Sequence, residues 1–108
     1  MNKGEIWLLE LPSLSGHEQS GKRPSIILAC TDIGMVTIIP LTSNPLANRF
    51  PHIYQIKKSQ ANKLEKDSIA LIFQIQTLDK KRFLKKIGMV EESYLKEIDK
   101  ILKEFLKL

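Results

Sequence analysis

The chain has 108 residues, 43% of them hydrophobic and 27% charged, the proportions of one globular domain rather than two or of a disordered segment. A chain of this size buries roughly two-thirds of its unfolded surface, enough for a core without metal or disulfide staples. The single cysteine, Cys30, excludes an internal disulfide framework and a cysteine-based zinc cluster. The apolar runs are too short for a membrane span, and the N-terminus lacks the apolar stretch of a signal peptide, so no membrane association and a cytoplasmic address are expected. The net charge is +5 and lies entirely in the second half: residues 1–54 hold four basic and four acidic side chains, the remainder 13 and 8. Lys80, Lys81, Arg82, Lys85 and Lys86 form one cluster. It fits either a polyanionic partner, nucleic acid above all, or a solvated lysine-rich surface.

Along the chain, residues 5–10 and 25–30 are apolar and β-branched between polar or Gly/Pro boundaries, as strands are. Residues 35–39 follow Thr31-Asp32-Ile33-Gly34, a sequence suited to a tight hairpin turn. Residues 52–56 alternate with period two, residues 68–73 read as a buried strand, and residues 86–90 as a weaker last strand. Short strands at this spacing predict a small sandwich or barrel rather than a parallel βαβ sheet. From Tyr94 the period changes. Tyr94, Leu95, Ile98, Ile101, Leu102, Phe105 and Leu106 form a helical stripe, with Glu91 and Glu92 at the end where the helix dipole favours negative charge. Trp7 and Cys30 are expected in the core.

Two polar loops, 12–22 and 43–51, are long for so small a domain, and long loops are often functional. In the first, Gly16-His17-Glu18-Gln19 and Gly21-Lys22-Arg23-Pro24 collect an imidazole, a carboxylate, an amide and two cations. Pro24 biases Arg23 toward extended backbone, where an arginine can clamp a phosphate through two parallel hydrogen bonds. The hydroxyls and amide of Thr42-Ser43-Asn44 suit phosphate or ribose oxygens, or simply a strand end and turn. His17 and His52, 35 positions apart, offer no metal-ligand spacing, and no cofactor is expected.

The run Gly4-Glu5-Ile6-Trp7-Leu8, then Gly16-His17-Glu18-Gln19-Ser20-Gly21-Lys22-Arg23-Pro24-Ser25-Ile26-Ile27-Leu28, strongly resembles the opening of the MazF/PemK (Kid) family of toxin endoribonucleases. The resemblance continues through Pro40-Leu41-Thr42-Ser43, Asp67-Ser68-Ile69-Ala70-Leu71 and Gln74-Ile75-Gln76-Thr77-Leu78-Asp79-Lys80, and so covers nearly the whole chain. It implies an α+β, mostly β fold over residues 1–108, with an SH3-like, CcdB/PemK-type barrel at about 4–90 and a C-terminal helix at about 91–107. It also implies a homodimer, a MazE-like antitoxin as partner, and cleavage of single-stranded RNA, usually mRNA at short motifs, without a metal. The products would carry a 2′,3′-cyclic phosphate and a 5′-hydroxyl.

By the same motifs, Arg23 matches the family's catalytic arginine and Thr42 its catalytic threonine. The substrate's 2′-OH is the nucleophile, so the protein has to move protons and stabilise a developing phosphorane. An arginine is too weak an acid to serve readily as a base, so Arg23 is assigned electrostatic work. His17, supported by Glu18, ranks behind them. The Kid-like branch pairs this histidine with an aspartate and an arginine ahead of the strand-end glutamine, whereas Leu71-Ile72-Phe73 precede Gln74 here. Gln19, Lys22, Ser43, Asn44, Arg49, Gln74 and Arg82 match positions bordering the family's RNA groove. Two other functions compete: a CcdB-like gyrase poison, and a non-catalytic RNA- or antitoxin-binding module on the same barrel. The poison relatives act through their C-terminal residues, and Phe105-Leu106-Lys107-Leu108 does not show that ending.

Overall fold

The computed structural model describes residues 1–12 and 21–108. Among the described residues seven strands follow in order: β1 (Glu5–Leu11), β2 (Gly21–Cys30), β3 (Met35–Thr42), β4 (Ile53–Ile56), β5 (Ser68–Leu71), β6 (Gln76–Asp79) and β7 (Phe83–Met89). One helix, α1 (Glu92–Leu106), closes the chain. Every strand pairing is antiparallel, in the order β4-β5-β3-β2-β1-β7, with β6 added on β3. This is the mostly β, helix-terminated architecture expected from the strand spacing.

β3 changes partner along its length. Its start, Met35–Ile38, pairs with β6, and its end, Leu41–Thr42, pairs with β5. Pro40, which has no N–H to donate, falls in the gap between the two pairings. On the other edge β3 pairs with β2, with a register shift between Ile27 and Ala29. The hairpin joining these strands is the one anticipated at Thr31–Gly34: the Thr31 N–H donates to the Met35 carbonyl at 2.9 Å, and Gly34 takes φ 81°, where a side chain would be strained.

The main core lies between the inner face of the sheet and the helix. It joins Ile6, Ile26, Ile39, Leu41, Ile56, Ala70, Ile72 and Ile98, and Tyr94, Leu95, Ile101 and Leu102 of the helical stripe pack onto it. A second cluster, Leu9, Leu11, Ile27, Val36, Ile38 and Leu78, is covered by Met1, Trp7 and Phe83. Trp7 is therefore only half-buried, its ring edge-on to Phe83 at 6.1 Å. Cys30 is exposed, contrary to the core position expected for it: it ends β2 beyond the register shift and joins none of the core clusters of the described residues.

The strand limits shift in an instructive way. The buried run after Ser68 is a four-residue strand followed by a 3-10 turn, Ile72–Gln74, and the segment Gln76–Asp79 forms β6, which the sequence reading passed over. The lysine cluster divides: Lys80–Arg82 is a 3-10 turn capped by the Asp79 carboxylate on the Lys81 N–H at 2.9 Å, while Lys85 and Lys86 belong to β7.

Candidate functional site

Two loci made prominent by the sequence meet at one end of the sheet. In the β2–β3 pairing Ser25 faces Pro40, Ile26 faces Ile39 and Ile27 faces Ile38. The pairing stops at Ser25 and Pro40, and Arg23, two residues before the one, and Thr42, two residues after the other, line the same cleft at this end. On the far side Pro24 pairs with Leu8, and Leu8 with Lys85, so one row of residues crosses three strands.

A cleft of about 510 Å³ opens at this end, lined by Arg23, Thr42 and Ser43 together with Lys63, Glu65, Lys66, Ser68, Lys85 and Lys86, over an apolar floor that includes Leu8, Pro24, Leu41 and Leu64. Arg23 is exposed, whereas Thr42 is 6% exposed. The Thr42 Oγ1 accepts from the Asn44 N–H at 3.2 Å. Its own proton remains available to donate into the cleft, since a hydroxyl is one donor as well as an acceptor.

The charge in the cleft is strongly unbalanced. Five cationic residues line it against one carboxylate, Glu65. Lys86 reaches the Glu5 Oε2 at 3.7 Å, but Arg23, Lys63, Lys66 and Lys85 make no ion pair with any described residue. Such a set concentrates positive potential where an anion would sit.

The other expected residues that the structure describes are not among those lining this cleft. Lys22 is exposed on β2 opposite Glu10. Asn44 caps the 3-10 turn Pro45–Arg49 through an Oδ1 that accepts from the Leu46 N–H at 3.0 Å, and Arg49 lies over the Phe50 ring at 4.8 Å. Gln74 is 9% exposed in the turn after β5, and Arg82 lines a second cavity with Glu10, Leu11, Gly21, Lys81 and Leu84. His17, Glu18 and Gln19 lie outside the described residues. Lys63, Glu65 and Lys66 were missed by the sequence reading. Their one signal is a lysine-rich stretch between β4 and β5, which sequence alone does not distinguish from a solvated loop.

No cluster of three or more His, Cys, Asp or Glu side chains suited to a metal is found among the described residues, and no described helix is long and apolar enough to cross a membrane. The model of the PemK-like, MazF-like toxin family of type II toxin–antitoxin systems matches residues 2–106. The chain is 35% identical over 107 residues to the endoribonuclease MazF of Staphylococcus epidermidis, covering 94% of this chain and 88% of that protein. Among solved structures it is similar to MazF from Deinococcus radiodurans, with a TM-score of 0.81, 22% identity and coverage of 100% of this chain and 97% of that one. It is also similar to a mycobacterial endoribonuclease in complex with its cognate antitoxin, with a TM-score of 0.74, 19% identity and coverage of 98% and 94%.

Proposed function

The chain belongs to the PemK-like, MazF-like toxin family of type II toxin–antitoxin systems, and from that premise we propose that it is the toxin of such a pair, an endoribonuclease acting on single-stranded RNA. The observation that carries this reading is that Arg23 and Thr42, 19 positions apart in the sequence, line one cleft with a surplus of unpaired positive charge. An RNA backbone is the polyanion that such a cleft suits.

In the proposed reaction the ribose 2′-oxygen attacks the adjacent phosphorus. The new O2′–P bond forms as the P–O5′ bond breaks, giving a 2′,3′-cyclic phosphate and a 5′-hydroxyl. The 2′-OH loses its proton, and the leaving 5′-oxygen gains one. Arg23 neutralises the two non-bridging oxygens as charge builds on the phosphorane, the electrostatic work for which a guanidinium is suited. The Thr42 hydroxyl, with its acceptor side occupied by the Asn44 N–H, donates to the same phosphate. No metal is assigned to any step. His17 and Glu18 are proposed as supporting groups for proton transfer, and Gln19, Lys22, Ser43, Asn44, Arg49, Gln74 and Arg82 as contacts to the strand on either side.

The antitoxin complex of the mycobacterial relative supports a cognate antitoxin as partner. A homodimer and a cytoplasmic location are proposed with it. The family and the curated relative support RNA cleavage rather than a gyrase poison. The test is incubation of the purified protein with a long single-stranded RNA in EDTA. Discrete fragments ending in cyclic phosphate are expected. Intact RNA across several sequences, from demonstrably folded protein, would overturn the reading.

A further inference from the structure

The segment between β4 and β5 is held more firmly than its polar sequence suggests, and Asn62 is the reason. This side chain is fully buried. Its Oδ1 accepts from the Ser59 N–H at 2.9 Å and the Leu64 N–H at 3.1 Å, and its Nδ2 donates to the Lys57 carbonyl at 2.9 Å and the Glu91 Oε1 at 3.0 Å. Its backbone N–H donates to the Ser59 Oγ at 3.1 Å. From β7 the Met89 N–H donates to the Ala61 carbonyl at 3.1 Å. Gly88 passes so close that an added Cβ would lie 2.6 Å from the Asn62 carbonyl oxygen.

This clamp sets Lys63 in a left-handed conformation, φ 55°. Backbone of this kind in a residue other than glycine persists only where its surroundings enforce it, and it is concentrated at functional sites. What it delivers here is charge. Lys63 and Lys66 are exposed, line the same cleft as Arg23 and Thr42, and face no carboxylate partner from another described residue. Lys85 and Lys86 belong to β7, an edge strand, where lysines also discourage edge-to-edge pairing. Lys63 and Lys66 sit on no strand edge.

We propose that Lys63 and Lys66, aided by Lys85, hold the backbone phosphates of the RNA next to the scissile linkage, so that the 57–67 segment forms the second wall of the substrate track. This rests on the endoribonuclease reading. The contacts are to phosphate, so they position the strand without reading its sequence.

The test compares the full chain with K63N/K66Q and K63R/K66R on a short single-stranded RNA bearing one cleaved linkage. Asparagine tolerates left-handed backbone, so the charge is removed with the turn retained. For K63N/K66Q the KM is expected to rise about tenfold with kcat within about twofold, and the slope of log KM against log salt to fall by about 1.4, some 0.7 for each lost phosphate contact. K63R/K66R is expected to restore the KM. Independently of any variant, a methylphosphonate in place of the flanking phosphate is expected to raise the wild-type KM to a similar extent. An unchanged KM and salt slope in K63N/K66Q, with a cleaving wild type, would overturn the inference alone. So would normal RNA kinetics combined with weakened antitoxin binding, which would assign the lysines to a protein partner. A folded wild type that cuts no RNA would overturn the endoribonuclease reading first, and this inference with it.

Discussion

The indole N–H of Trp7 donates to the Glu5 Oε1 at 2.8 Å, two residues apart on the same face of β1. The carboxylate is 7% exposed, and the Lys86 ammonium approaches its other oxygen at 3.7 Å. Through this pair the second small core is joined to the rim of the cleft. The Trp7 hydrogen bond is the main cause holding the Glu5 carboxyl below its ordinary 4.5; burial opposes it, and an Asn2 backbone hydrogen bond and Lys86 add to it.

A pH dependence follows. Because the folded pKa of Glu5 is depressed, its stabilisation is present above the unfolded value of 4.5 and is lost as pH falls through the lower folded value. Glu5→Gln is expected to reduce the stability difference between pH 7 and pH 3, as measured by urea unfolding followed through Trp7 fluorescence. An identical difference in the two proteins would show that Glu5 has no such role.

At the candidate active site, Arg23→Ala and Arg23→Lys are both expected to lower kcat by about 10²–10³-fold, the scale of removing one transition-state donor. Lysine fails because it is a point charge without the guanidinium fork. Thr42→Ser is expected to keep most of the rate, and Thr42→Val to lose it, since only the valine lacks a hydroxyl. Single-turnover cleavage of a defined RNA, with thermal unfolding as the folding control, measures both series.

Much of this arrangement was readable in advance, and the reasons differ by element. The helical stripe was clear because its 3.6-residue period is a property of the sequence alone; Ile98 is fully buried as that period requires. Arg23 and Thr42 were nominated by local motifs, but their convergence depends on the β2–β3 register, a long-range fact. β6 was missed because Gln76-Thr77-Leu78-Asp79 buries only Leu78 and shows no apolar run. Lys63 and Lys66 were missed because the clamp that orients them comes from Asn62 and Gly88, 26 positions apart.

Asn62→Ala is expected to destabilise the fold by about 2–4 kcal/mol, since it removes a fully buried side chain and takes the partner from the buried Leu64 N–H, the part-buried Ser59 N–H and the Lys57 carbonyl together. Chemical denaturation measures the loss. A variant within about 0.5 kcal/mol of wild type would mean that the turn is held without it.

Lys107 ends α1 in left-handed backbone at φ 57°, with its N–H on the Glu104 carbonyl and the Leu108 N–H on the Lys103 carbonyl. Lys107→Gly is expected to raise stability by roughly 0.5–1 kcal/mol, because glycine meets that conformation without Cβ strain. A shift of the thermal midpoint upward, with unchanged cleavage, is the readout.

The pairing of β1 with β7 has a consequence for synthesis. Glu5 meets Met89, and the Val90 N–H closes onto the Gly4 carbonyl at 2.9 Å, so the first strand finds one of its two neighbours only near the end of the chain. Closing so long a loop comes late in folding. A nascent chain that has not yet released residues 83–89 from the ribosome therefore has a cleft without its Lys85 and Lys86 wall.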